Sequence, residues 1–318
     1  MKKIIALLLV TMMTLLCACS MNEGKIRFGA AGIGGIYHEA VTAIEQLAND
    51  NGSLSIEVKT TAGSAANIRL LSQDYLDVAI AQSDIASDAY NGKNSFEKSG
   101  EYKDFSAIGA LYTEACHIVV KADSNINSVD DLLGKTVSIG EEESGTELNA
   151  KQILSVYGLN SDMVKQVNLD YAQAAKKLEA GEIDALFCTV GVNATVIDEL
   201  SKQCKIRLLQ IDDTSAKKLK STYSYIDCTI PKDTYNGQTD EIKTVGVKAV
   251  LIVNNKLSDE NVKNLTKLVF DNSKELQLTI SADIEPDKQS AVDGIKIPFH
   301  KGAAAYYNEK GIKVKTAE

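Results

Sequence analysis

Tryptophan is missing from the chain, and proline and histidine each occur only 3 times in 318 residues. With so few imidazoles and no His-rich cluster, a dedicated transition-metal site is not expected. The sequence contains no H-E-x-x-H and no G-x-x-x-x-G-K-[ST]. It has no G-x-S-x-G either, because Glu143-Ser144-Gly145 lacks the glycine two residues before the serine. Metalloprotease, P-loop and nucleophile-elbow chemistry each depend on those spacings. Positive charge is also scarce: 34 Lys+Arg oppose 43 Asp+Glu, for a net of −9. Proteins grip phosphate backbones chiefly through Lys and Arg, so nucleic acid is not an expected partner. An enzyme would need a nucleophile with its base, a metal, or paired carboxylates. With none of these signalled, the chain reads as a binding protein without a cofactor.

The longest apolar run sits at the start. Lys2 and Lys3 precede an uncharged stretch from Ile4 to Leu16, and Leu16-Cys17-Ala18-Cys19 follows. A basic start and a run too short to span a membrane match a secretory signal. A small residue directly before Cys19 looks like a bacterial lipobox. That resemblance implies removal of residues 1–18, a lipid on Cys19 that anchors the protein to a membrane face outside the cytoplasm, and a polar tether over 19–24. Loss of Lys2 and Lys3 takes the net charge from −9 to −11. Export permits disulfides, but Cys116, Cys188, Cys204 and Cys228 show neither framework spacing nor a C-x-x-C, and free thiols in or beside strands are expected.

From Lys25 onward, short apolar strands alternate with amphipathic helices. Strands are predicted over 26–30, 54–60, 78–81, 117–122, 136–139, 185–188, 206–211 and 245–253. Helices are predicted over 37–50, 67–72, 129–134, 146–157, 171–180, 192–202 and 259–278, with a closing helix within 298–311. Strand, small-residue turn and helix in rotation argue for parallel β-α units. The expected fold class is α/β with two lobes, the second inserted into the first. Lobe I comprises 25–120 and 245–318 and lobe II comprises 121–244, with two crossing strands and a ligand cleft between the lobes.

Open α/β sheets bind ligands beyond the carboxyl ends of their strands, where helix N-termini present free N–H groups. Four such places stand out: Gly34-Gly35-Ile36-Tyr37, Gly63-Ser64-Ala65-Ala66-Asn67, Gln82-Ser83-Asp84, and Ser144-Gly145-Thr146. Together with Leu111-Tyr112-Thr113-Glu114-Ala115-Cys116-His117, Asp131-Leu132-Leu133-Gly134-Lys135 and the run from Pro298 to Gly311, they stand in the order found in one bacterial family. The chain resembles the TAXI solute receptors of TRAP transporters over essentially all of its mature length. The resemblance implies a monomeric, periplasmic-binding-protein-like (type II) receptor. Its lobes would close on glutamate, glutamine or a small organic acid, and it would then dock to TRAP membrane subunits. The expected ligand-binding set is Gly35, Ile36, Tyr37, Gly63, Ser64, Asn67, Gln82, Ser83, Ser144, Gly145, Thr146 and Gly191, with Ser64 and Thr146 donating to a ligand carboxylate from opposite lobes. A receptor serving a sensor kinase is the alternative partner assignment.

Two departures from the family pattern bear on specificity. Ile36 and His38 stand where the family often has Thr and Tyr, and Glu141-Glu142-Glu143 fill the loop before Ser144. The acidic run reads as a solvated loop; a cationic solute is the alternative if it faces the cleft. His117, His300 and the Tyr306-Tyr307 pair read as structural.

Overall fold

The computed structural model describes residues 24–33, 35–280 and 288–317. The leader, Cys19 and Gly34 lie outside the described residues.

The first half builds three parallel strands, β1 (Ile26–Gly29), β2 (Ile56–Lys59) and β3 (Val78–Gln82), separated by α1 (Ile36–Asp50) and α2 (Ser64–Ser72). A third helix, α3 (Ser83–Asn91), starts directly where β3 stops. Helix α1 forms because Ala40, Val41, Ile44, Leu47 and Ala48 recur at helical spacing, and all five are buried. Strand β3 is buried at every position, as a strand covered on both faces must be.

Next comes β4 (Phe105–Lys121), a 17-residue strand that leads into the second half. There β5 (Thr136–Ser138), α4 (Gly145–Val156), β6 (Lys165–Val167), α5 (Tyr171–Glu179), β7 (Ala185–Val190), α6 (Thr195–Gln203), β8 (Ile206–Leu208), α7 (Asp213–Tyr223) and β9 (Ile226–Ile230) follow. Strand β10 (Ile242–Asn254) returns the chain, and α8 (Asp259–Asp271), α9 (Ser273–Thr279) and α10 (Lys301–Glu309) complete the fold.

The strands form one ten-stranded sheet ordered β2-β1-β3-β10-β4-β7-β5-β6, with β8 also on β4 and β9 also on β10. Strands β4 and β10 are antiparallel neighbours at its centre and pair from Phe105↔Asn254 to Ala115↔Gly246. On one side β10 continues to β3, and on the other β4 continues to β7. The two-residue alternation of side chains along a strand then feeds two cores. Leu186, Cys188 and Val190 of β7 face the larger core with Leu178 of α5 and Ile197 of α6. Ala185 and Phe187 face the second core with Ile153 of α4 and Leu219 of α7.

The crossing strands are longer than the predicted 117–122 and 245–253, because residues 105–121 are buried almost without interruption. Helices α3 and α7 and strands β6 and β9 were not predicted. The predicted helix over 259–278 is broken at Asn272, which caps α9 with a non-helical backbone. The predicted helix over 129–134 is a single 3₁₀ turn at Asp130–Leu132. Among the described residues, Cys116, Cys188, Cys204 and Cys228 are all free, and Cys116 and Cys188 are fully buried. His117 sits inside the sheet with Nδ1 2.9 Å from the Ala115 carbonyl and Nε2 2.9 Å from the Tyr235 hydroxyl. Burial pushes its imidazole down to about 4, so it is neutral. The His300 Nδ1 accepts the Gly302 N–H and caps α10, while Tyr306 and Tyr307 pack edge-to-face in the core.

Candidate functional site

The first strands and β7 end at one side of the sheet's centre, and the loops that follow them surround a cavity of about 80 Å³. A water needs on the order of 10–15 Å³ by this measure, so the space suits a solute of amino-acid size. The first half supplies Ala31–Ile33, Gly35, Ile36, Tyr37, Ala62, Gly63, Ser64, Gln82 and Glu114. Glu141, Ser144, Gly145, Thr146, Asp170, Tyr171, Thr189 and Val190 come from the second.

Nine of the residues singled out from sequence therefore line one cavity: Gly35, Ile36, Tyr37, Gly63, Ser64, Gln82, Ser144, Gly145 and Thr146. Three do not. Asn67 is fully buried behind the wall. Its Nδ2 donates to the Ala30 and Ile80 carbonyls at 2.7 and 2.8 Å and its Oδ1 accepts from Thr61, so its amide stitches the end of β1 to the middle of β3. The Ser83 hydroxyl accepts the Lys248 N–H at 3.1 Å and ties α3 to β10. Gly191 lies one residue beyond the lining pair Thr189 and Val190. The hydroxyls of Ser64 and Thr146 are also engaged within the wall. Ser64 Oγ accepts the Gln82 N–H at 3.1 Å. Thr146 Oγ1 accepts the Thr189 N–H at 3.2 Å and lies 2.6 Å from the Tyr171 hydroxyl.

The start of α4 explains itself locally. Ser144 caps the helix by accepting the Glu147 N–H at 3.0 Å, and the Glu147 carboxylate accepts the Glu143 N–H at 2.8 Å, a capping-box arrangement displaced by one residue. Gly145 is required by proximity, because a Cβ there would overlap the Gln82 carboxamide across the cleft. Gly63 is required by conformation: its φ of +121° is closed to most side chains.

The acidic run before Ser144 does not behave as one solvated loop. Glu142 is exposed. Glu141 lines the cavity, and burial followed by the neighbouring Asp170 charge raises its carboxyl above the usual range. Glu143 crosses to the first half. Its carboxylate takes the Arg69 guanidinium at 2.9 and 2.7 Å, a two-point pairing that planar geometry favours. Its carbonyl accepts both the Ala65 and Ala66 N–H groups at 3.2 Å. The N-terminus of α2, which the sequence offers as an anion site, is thus occupied by the opposing loop's own backbone. The start of α4 remains on the cavity wall.

Glu114 is the functional candidate that sequence reasoning passed over, although it stands in the quoted Leu111–His117 motif. It is 3% exposed and lines the cavity. The Tyr37 hydroxyl donates to its Oε2 at 3.0 Å. Burial pushes its carboxyl up to about 8, against hydrogen bonds from Tyr37 and Gln82 that pull it down, and the nearby Asp84 adds to the rise. Asp84, 1% exposed, is pushed up to about 7 chiefly by burial. Asn149 of α4 donates to its Oδ2 at 3.1 Å and to the Tyr225 hydroxyl at 2.8 Å, and Tyr225 in turn donates to Gln152 at 2.6 Å. A lone carboxylate among uncharged neighbours in a strand was the available signal for Glu114, since a buried carboxylate needs a reason.

Residues 28–311 match the model of the NMT1-like family. Among solved structures, the chain is similar to a protein of Bordetella bronchiseptica RB50, at 14% identity over 91% of this chain and 99% of that one, with a TM-score of 0.59. PhnD1 from Prochlorococcus marinus (MIT 9301), in complex with methylphosphonate, is similar at 12% identity over 81% and 90%, TM-score 0.55. A putative L-cystine ABC transporter from Listeria monocytogenes is similar at 16% over 82% and 98%, TM-score 0.52. At these identities the likeness is one of fold, that of the two-lobed periplasmic binding proteins, while the family match spans nearly all the described residues. The chain belongs to the NMT1-like family.

Proposed function

We propose that the protein is an extracytoplasmic receptor that captures a small polar solute between two lobes and delivers it to a membrane transporter. Lobe I comprises 25–120 and 245–318, and lobe II comprises 121–244. The observation that carries the reading is the amino-acid-sized cavity walled by both halves, placed where strands end and α4 begins. Ser144, Gly145 and Thr146 at that helix start suit a carboxylate, and Gly35, Ile36, Tyr37, Gly63, Ser64 and Gln82 form the opposite wall. Glutamate, glutamine or a small organic acid is the solute class that the TAXI resemblance supplies. TRAP membrane subunits are the partners it supplies, and Cys19 is the anchor.

The test is a thermal-shift screen of the intact protein with amino acids, dicarboxylates and amines, confirmed by calorimetry. A bound solute at 100-fold over its Kd stabilises the native state by about 2.7 kcal/mol. Gly145→Ala, which forces the Gln82 carboxamide to move, is expected to diminish that shift, with circular dichroism checking that the variant is folded. A melting temperature indifferent to the whole panel and to a metabolite extract of the host would overturn the receptor reading. Membrane partition of Cys19→Ala checks the anchor: release from the membrane fraction is expected.

A further inference from the structure

Asp84 of α3 and Asn149 of α4 meet from opposite halves of the chain, and both are buried. One hydrogen bond joins them, from Asn149 Nδ2 to Asp84 Oδ2 at 3.1 Å. The other proton of that amide goes to the Tyr225 hydroxyl at 2.8 Å, and the Tyr225 hydroxyl gives its own proton to Gln152 at 2.6 Å. Every donor in the chain is thereby committed. Two oxygens are left over, Asp84 Oδ1 and Asn149 Oδ1, each buried and without a hydrogen-bond partner. An ionised carboxylate can only accept, so it leaves both stranded at a cost comparable to a lost hydrogen bond. A protonated carboxyl carries the donor that is missing.

We infer that a proton is part of the contact between the halves: Asp84 donates from Oδ1 to Asn149 Oδ1 while its Oδ2 accepts from Asn149 Nδ2, and this pair of hydrogen bonds is a latch that holds when protonated and lets go when ionised. The inference takes from the receptor reading only that the halves part and close. When they part, Asp84 is rehydrated and releases its proton to solvent, and closure takes the proton up again.

Burial is the chief force that raises the Asp84 carboxyl to about 7, against the nearby N–H groups of Ile85 and Asp84 and the Asn149 amide, which lower it. The titratable groups that act on it are Asp88 on its own helix, Glu114 and Cys116 on β4, and Tyr225 from the second half. Each of them is an acid, so none favours the charged form. A carboxyl that titrates near 7 when closed and near 4 when open stabilises the closed form fully below about pH 4. That stabilisation is lost as pH rises through 7. Between pH 6 and 9 the ratio of closed to open molecules should fall by about a hundredfold.

Amide hydrogen exchange of the intact protein tests this without any solute. The Ala65 and Ala66 N–H groups bond to the Glu143 carbonyl of the other half, so they exchange when the halves part. They are expected to exchange faster than the α1 amides of Ile44 and Leu47 at both pH 6 and pH 9, as opening short of unfolding requires. Corrected for intrinsic rate, their protection should fall by about a hundredfold or more between those values. Asp84→Asn is the neutral mimic, since its amide can donate to Asn149 Oδ1 at any pH. It should leave at most about a tenfold fall, the share that Glu114 can add if opening wets it. Glu114→Gln should keep the hundredfold fall. Selective carbon-13 NMR of the aspartate carboxyls, on the unaltered protein, should find one still protonated at pH 6 and titrating near 7. Protection that does not change with pH overturns the inference, as does a fall that survives Asp84→Asn undiminished or vanishes in Glu114→Gln. Exchange of Ala65, Ala66, Ile44 and Leu47 at one rate, or no aspartate titrating near 7, overturns it as well. Each of these failures leaves the solute screen, and the receptor reading it tests, untouched.

Discussion

Two carboxyl groups, Glu114 and Asp84, are held almost out of contact with water, and their raised pKa values make folding pH-dependent. In the unfolded chain both titrate near 4, whereas in the folded protein they titrate near 8 and 7. The folded state therefore keeps protons that the unfolded state gives up. This contribution is complete below about pH 4 and is lost as pH rises through 7 and 8. Each group can cost up to about 1.4 kcal/mol per pH unit across that window. Glu114→Gln and Asp84→Asn are expected to flatten the fall in melting temperature between pH 6 and 9, and differential scanning calorimetry against pH reads it. His117 acts in the opposite sense. Its folded imidazole titrates near 4 against an ordinary 6.5, so its contribution is present at neutral pH and lost as pH falls through that interval. His117→Gln should soften the acid limb alone. At this scale the sequence exposed the cavity's small residues, because glycine and serine beside a helix start are recognisable in one dimension. It did not expose Asn67 as a strap between strands or Glu114 as a wall residue, since both depend on which distant carbonyls and hydroxyls come within reach.

The loop from Gly140 to Ser144 reaches across the cavity to the first half. Its Glu143 bridges to Arg69 and caps α2 with a backbone carbonyl. Both side chains of the ion pair keep 39% and 45% of their exposure, so the pair is worth about 0–1 kcal/mol and is weakened by salt. Arg69→Ala is expected to weaken solute binding by no more than about fivefold, with the loss shrinking at 0.5 M salt; calorimetry at two ionic strengths checks this. Gly63→Ala should cost more, on the order of 1–3 kcal/mol of stability, because it forces a side chain into a positive-φ conformation next to Ser144. Chemical denaturation measures it. Helices were legible in the sequence where an apolar face repeats, as in α1. Helix α3 was not, since only Ile85, Ala86 and Ala89 make its buried apolar face, and α7 buries only Ala216 and Leu219 among apolar residues. Both are helical because the sheet lies beneath them rather than because their own pattern is strong.

For the molecule as a whole, strands β4 and β10 are the shared spine, and any movement of the halves must flex them. Small-angle scattering of the intact protein is expected to show a smaller radius of gyration with a bound solute than without it, as hinge closure requires. The α/β alternation and the return of the chain near residue 245 were readable because strand and helix periods differ so clearly. Sheet order was not, since the pairing of β4 with β10 is a fact about residues far apart in the chain.

That distance has a consequence for how the protein comes into being. The centre of the sheet exists only once residues near 115 have met residues near 246, so a chain made from its N-terminus cannot finish its sheet until nearly four-fifths of it has appeared. Such non-local closure is intrinsically slow. For a protein whose first residues resemble an export signal, delay is an advantage, because a polypeptide that must thread a narrow channel does so unfolded. The strand pairing that makes the folded protein rigid is the one that keeps the nascent chain pliable.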